Sequence, residues 1–127
     1  MHLHRAQVEY ELREKLILLR QRLLHAAGDK KKLWALMTDS FPAFATLMRH
    51  SLIALGDKPP KTSREAVEKL AERVQFDPAA LLQVSDVRKQ LADPKQHEAN
   101  EVFAKYLAAI EHITAAVDRM LDAAPGS

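Results

Sequence analysis

The stretch 30–56 constrains this chain more than any other part of it. It reads as one long apolar helix interrupted at Phe41-Pro42-Ala43-Phe44. Leu33, Trp34, Leu36 and Met37 lie before the interruption, and Phe44, Leu47, Met48, Leu52, Ile53 and Leu55 lie after it. The only tryptophan and two of the four phenylalanines are here. A helix apolar on so much of its circumference needs cover from several neighbours, so the remaining helices have to be arranged around it. Pro42 cannot donate to the Thr38 carbonyl and its ring crowds that oxygen, a cost of about 3 kcal/mol unless the helix bends or restarts. Asp39 and Ser40 are both good caps. The spacing therefore predicts either a kink or two abutting helices near Pro42.

The flanking sequence supplies that cover. Val8, Leu12, Leu16, Leu19, Leu23 and Ala27 recur at three- and four-residue steps, predicting a first helix over about 4–27. Ile17, Leu18 and Leu24 widen its face, so it is expected to touch two or more neighbours. Glu9 with Arg13, and Glu11 with Lys15, are four-apart pairs on its wet side. Gly28 supplies a left-handed stop and Asp29 a cap, so the second helix should return antiparallel to the first.

Residues 56–61 form a Pro-rich loop, and Thr62 with Glu65 makes a capping box for a third helix ending near Gln75. Val67, Leu70, Ala71 and Val74 face inward there, with Glu65 and Lys69 paired outside. Asp77-Pro78 opens a fourth helix carrying Leu81, Leu82, Val84, Val87 and Leu91. Asp93-Pro94 repeats the signal and opens a fifth, to about residue 123. Its stripe is Phe103, Tyr106, Ile110, Ile113, Val117 and Met120, broadened by Leu107 and Leu121. The tail 124–127 is expected to be flexible. The fold class expected is all-α: an up-down helical bundle of about five helices, the second kinked or broken near Pro42, forming one domain over 1–123.

Composition narrows the function classes. At 127 residues the chain is long enough to bury roughly two-thirds of its unfolded surface. Nineteen basic against seventeen acidic residues leave a net charge of +2, too small a field to point to nucleic acid or a membrane surface. Cysteine is absent, which removes disulfides and thiolate chemistry. No run approaches the roughly 18 apolar residues of a membrane span. Met1-His2-Leu3-His4 lacks a secretory apolar region, and the cytoplasm is the expected compartment. The start runs almost directly into a helix, as expected of a domain cut from a longer protein.

Candidate chemistry is sparse. Of six histidines, His2 and His4 sit two apart, while His25, His50, His97 and His112 are scattered, so none has helical metal-ligand spacing. No metal, no cofactor and no catalytic residue is expected. Lys30-Lys31-Lys32 places three cations at a helix start, where the macrodipole disfavours them. They read either as an anion site, amides and ammonium groups gripping a phosphate, or as a solvated corner balanced by Asp29. With Arg49 these lysines are the candidate ligand-binding set. Tyr10, Arg49, His50 and Tyr106 sit near apolar faces and can line a pocket, or more simply edge the core with their polar tips in water. Trp34 and Phe41, where exposed, would mark a docking surface.

A run of elements resembles the helical C-terminal region of bacterial nucleotidyltransferase-like proteins. They are Tyr10-Glu11-Leu12-Arg13-Glu14-Lys15-Leu16, Leu19-Arg20-Gln21-Arg22, Ala27-Gly28-Asp29-Lys30, Ser40-Phe41-Pro42-Ala43-Phe44, Met48-Arg49, Leu55-Gly56, Glu65-Ala66-Val67 and Phe103-Ala104-Lys105-Tyr106-Leu107. The resemblance covers almost the whole chain but rests mostly on structural residues. It implies a non-catalytic, substrate-binding-like bundle, similar to the C-terminal bundle of kanamycin nucleotidyltransferase. Such a bundle would wall a nucleotide or acceptor pocket beside an N-terminal nucleotidyltransferase-like domain of the same or a neighbouring chain. A homodimer would be another way to cover its apolar surface. The Gly-Ser turn and Asp-x-Asp pair of the family's catalytic domain are absent from this sequence, so no catalytic residue carries over. Arg20 and His25 form an Arg-x4-His element reminiscent of HEPN-type ribonucleases, although residues five apart on a helix diverge by about 140°. A plain protein–protein interaction module is the third reading.

Overall fold

Gly28 takes φ +82° and reverses the chain between the first two helices, a backbone conformation that is inexpensive for glycine. Behind it, Asp29 is extended and its Oδ1 accepts from the amides of Lys31 and Lys32 at 3.0 and 3.2 Å, starting the second helix. The computed structural model describes residues 5–26 and 28–123. Its elements are α1 (Arg5–Ala26), α2 (Lys30–Ala54), α3 (Ser63–Val74), α4 (Ala79–Arg88), a single 3-10 turn (Pro94–Gln96) and α5 (Ala99–Ala123). Among the described residues the fold is an all-helical bundle. Expectations for His2, His4, Ala27, the Leu121 side chain and the 124–127 tail lie outside the described residues.

α2 is the spine. It packs against α1, α3, α4 and α5. Its buried positions include Leu33, Met37, Phe44, Met48 and Leu52, each at most 2% exposed. Each such side chain contributes about 1.5–3 kcal/mol by leaving water. Trp34 and Phe41 are buried as well, so neither marks a docking surface; a helix covered on this many sides leaves its aromatic residues no exposed face.

Pro42 lies inside α2 and the helix is not interrupted there. Of the two expected outcomes, the restart does not occur, and neither Asp39 nor Ser40 acts as a cap. Side chains occupy the turn instead. Thr38 Oγ1 bonds back to Trp34 O at 2.9 Å, and Ser40 Oγ to Met37 O at 3.2 Å. From α5, Tyr106 reaches in with its hydroxyl 2.9 Å from Ser40 Oγ. The Tyr106 hydroxyl also reaches Met37 O at 3.5 Å, so the two hydroxyls share that carbonyl and either can donate to the other. Tyr106 is 0% exposed, so its tip does not reach water as an edge residue's would. Phe44 meets it edge-on at 6.4 Å and Phe103 tilts against it at 6.3 Å.

The other helices follow the sequence with local shifts. Thr62 Oγ1 caps Glu65 N at 3.0 Å, but the return arm from Glu65 reaches Lys61 N, one residue beyond a closed capping box. Asp77 Oδ1 accepts from Ala79 N, opening α4 as expected. Asp93-Pro94 opens only the 3-10 turn, and α5 begins at Ala99. Leu91 lies past α4 and is 74% exposed. On α1, Ile17 and Leu24 do not widen the packed face; they point to solvent. Arg13 and Arg20 cross to Asp118 and Glu111 of α5, while no ion pair joins Glu11 to Lys15 among the described residues. Arg64 ties α3 to Asp86 of α4 at 3.2 Å. Arg73 donates to Leu55 O at 3.0 Å, serving the carbonyl end of α2.

Burial raises the Tyr106 hydroxyl well above the usual phenol range, with the Ser40 bond opposing in part. Below about pH 10 both folded and unfolded states hold the phenol proton and stability is flat. Above it the unfolded chain ionises first, so this group's contribution falls as pH rises. Tyr106→Phe is expected to lower stability by about 0.5–1.5 kcal/mol at neutral pH by urea unfolding. Its stability should also fall less steeply than the wild type's between about pH 10 and 12.

Candidate functional site

The loop after α2 brings the start of α3 against the second half of α2. Between them is a cleft of about 290 Å³ lined by Ala45, Thr46 and Arg49 from one side and Lys61, Thr62, Ser63 and Ala66 from the other. Ala45 and Ala66 are buried and form its floor; their small side chains are why the two helices leave a gap. Arg49 is exposed, and no ion pair or hydrogen bond holds it among the described residues. Lys61 enters from the loop end. The Thr62 hydroxyl is committed to Glu65 N, while those of Thr46 and Ser63 line the opening.

Glu65 is the nearest carboxylate with a defined environment. Its pKa is lowered by the hydrogen bond to Lys69 first and by the Lys61 amide second, with the Lys61 charge adding to this, so it stays charged at the edge of the cleft. The cleft thus offers two cations and two hydroxyl groups with no carboxylate among its lining residues. That set suits a phosphate or carboxylate: a guanidinium can bind it with two parallel hydrogen bonds, an ammonium adds a point charge, and hydroxyls complete the shell.

The four residues of the candidate ligand-binding set do not come together. Lys30, Lys31 and Lys32 are exposed at the first turn of α2, and Arg49 lies near its last turns. At 1.5 Å per residue, Lys31 and Arg49 are about 27 Å apart along the axis. Asp29 also occupies the amides of Lys31 and Lys32 that an anion would use. Arg49 gains a neighbour across the cleft that sequence spacing did not point to, Lys61, because the loop 55–62 folds back. A basic residue beside a capping threonine is too common a pattern to signal this.

Arg20 is engaged with Glu111 of α5, and His25 is exposed in the last turn of α1. The two do not converge. His112 holds α3 in place: Val74 O can only accept, so the 2.9 Å contact requires a proton on His112 Nε2. His97 lies against Trp34 with ring centroids 6.4 Å apart. No group of three His, Asp or Glu side chains among the described residues could hold a metal ion. Nor is any helix among them long and apolar enough to cross a membrane.

A second feature is apolar. Tyr10, Ile17 and Leu24 are 64%, 53% and 80% exposed, and they are three of the four large hydrophobic residues left in solvent among the described residues. Their seven-residue spacing puts them within about 40° of one another around α1. The stripe runs about 21 Å along the outer face of the bundle. Arg13 and Arg20 flank it on the α5 side, already paired with Asp118 and Glu111. The repeat is visible in the sequence, but Ile17 and Leu24 look like extra core positions there because each directly follows a residue packed in or against the core, Leu16 and Leu23.

In comparisons with protein-family models, curated proteins and solved structures, no match to this chain is found.

Substituting Arg49 and Lys61 together by serine is expected to abolish any saturable binding of inorganic phosphate or ATP measured by calorimetry. Serine at Lys30, Lys31 and Lys32 should leave that binding within about twofold, because these side chains lie more than a Debye length from Arg49 at physiological salt.

Proposed function

We propose that this chain is a non-catalytic accessory helical domain that packs beside a nucleotidyltransferase-like domain and contributes one wall of a nucleotide- or acceptor-binding pocket. The observation that carries the reading is the Tyr10–Ile17–Leu24 stripe, an apolar face on a helix whose opposite face is already in the core. A seven-residue repeat is the spacing with which a helix offers a seam to another helix. Its charged flank is neutralised by α5, so recognition there is mainly apolar. The sequence resemblance names the partner, and the Arg49–Lys61 cleft supplies groups suited to a nucleotide phosphate.

Other readings find less support. A ribonuclease of the HEPN type needs Arg20 and His25 on one phosphate, and Arg20 is held by a carboxylate on another helix. A second copy of the chain seated on the stripe is the competing occupant, and sedimentation distinguishes it from a partner domain. The cytoplasm and a bacterial source remain part of the proposal, on the resemblance alone.

The test is to read the coding sequence beside this chain and to co-express any nucleotidyltransferase-like domain found there with it. A stable complex is expected, weakened more than about tenfold by Ile17→Glu with Leu24→Glu. Folding stability should change by less than about 0.5 kcal/mol per site, since both side chains are solvated. A neighbouring sequence lacking a Gly-Ser turn and an Asp-x-Asp pair, or a complex indifferent to these changes, would overturn the reading.

A further inference from the structure

A separate cluster of charge lies in the groove between α1 and α2, on a different face of α2 from Arg49. Lys15 and Arg22 line it from α1, and Asp39 and Ser40 from α2. Leu19 and Phe44, each 2% exposed, form its apolar floor. Ala43 on the α2 side ends at Cβ and leaves the space, which has a volume of about 150 Å³.

Lys15 and Arg22 are seven residues apart, so they stand on one side of the groove about 10 Å from each other along the axis. Neither cation, nor Asp39 across from them, takes part in an ion pair or side-chain hydrogen bond among the described residues. Their neighbours Arg13 and Arg20, by contrast, are both engaged with α5. Three unpartnered charges around one apolar floor form a pattern of two positive groups and one negative.

We propose that this groove binds a small amine bearing two anionic groups: a dicarboxylic or phosphorylated amino acid. Arg22 takes one anionic group in its planar fork and Lys15 takes the second as a point charge. Asp39 accepts from the ammonium, and the short carbon skeleton lies over Leu19 and Phe44. The space of about 150 Å³ is below the roughly 300–1,000 Å³ of drug-sized ligand sites, which suits an amino acid better than a nucleotide. The site is independent of the accessory-domain reading, because the isolated chain carries every group it needs.

The experiment is an amide chemical-shift titration of the isolated chain with L-aspartate and O-phospho-L-serine, with succinate and inorganic phosphate as probes lacking the amine. Saturable shifts are expected within 15–22 and 36–44. Arg22→Gln and Asp39→Asn should each weaken binding about tenfold or more, the loss of a charged hydrogen bond. Succinate should bind more weakly than aspartate by a similar factor. Both substitutions are at exposed positions, and circular dichroism confirms that the variants are folded. The tighter of the two amines identifies the second anionic group. No saturable shift with either amine would overturn the proposal. So would succinate binding as tightly as aspartate with Asp39→Asn neutral or stronger, which would mark a plain anion site.

Discussion

A proline in the middle of the most buried helix is the constraint on which the rest of this structure depends. α2 packs against every other helix, so a break at Pro42 would divide the core. The helix instead passes through, and in the turn before Pro42 the hydroxyls of Thr38 and Ser40 bond back to the helix while Tyr106 from α5 meets Ser40. A buried tyrosine hydroxyl without a partner would cost about 1–3 kcal/mol. Ser40 removes that cost, and the tyrosine ring fills the space between Phe44 and Phe103.

Once α2 is enclosed, the faces left for function follow from geometry. The antiparallel return at Gly28-Asp29 puts α1 on one side of α2, and the loop to Thr62 puts α3 on another. Each packing seam opens where a short side chain meets its neighbour: Ala43 between α1 and α2, and Ala45 with Ala66 between α2 and α3. Both openings are bordered by basic residues with no carboxylate ion pair among the described residues, although Glu65 lies beside Lys61. The outer face of α1 carries the apolar stripe, away from both. Docking and ligand contact therefore lie on different surfaces and can be altered separately.

The sequence made the helices legible because their signals are local. Asp29, Thr62 and Asp77 act through hydrogen bonds from amides two or three positions on, and each does so here, while Gly28 acts through its own backbone angle. What it did not reveal depends on long-range contact. The turn before Pro42 is met by Tyr106, sixty-six residues from Ser40 in the chain. Asp93-Pro94 produces a turn rather than a helix start, and α5 begins only at Ala99. Ile17 and Leu24 share the composition of a core stripe, and only the placement of α2 and α5 shows that nothing covers them. Of the candidate ligand set, Arg49 acquires basic and hydroxyl neighbours, while the three lysines stay at a corner whose amides Asp29 already holds.

The claim that α2 is one cooperative spine through Pro42 is tested most directly by native-state hydrogen exchange. Amides on both sides of the proline, from Leu36 to Ser40 and from Phe44 to Met48, are expected to exchange only through global unfolding. They should share one opening free energy and one denaturant dependence with the α5 amides around Tyr106. If the amides after Pro42 opened at a markedly lower free energy than those before it, the two halves would be separate units, and the account of α2 as a single spine would be wrong.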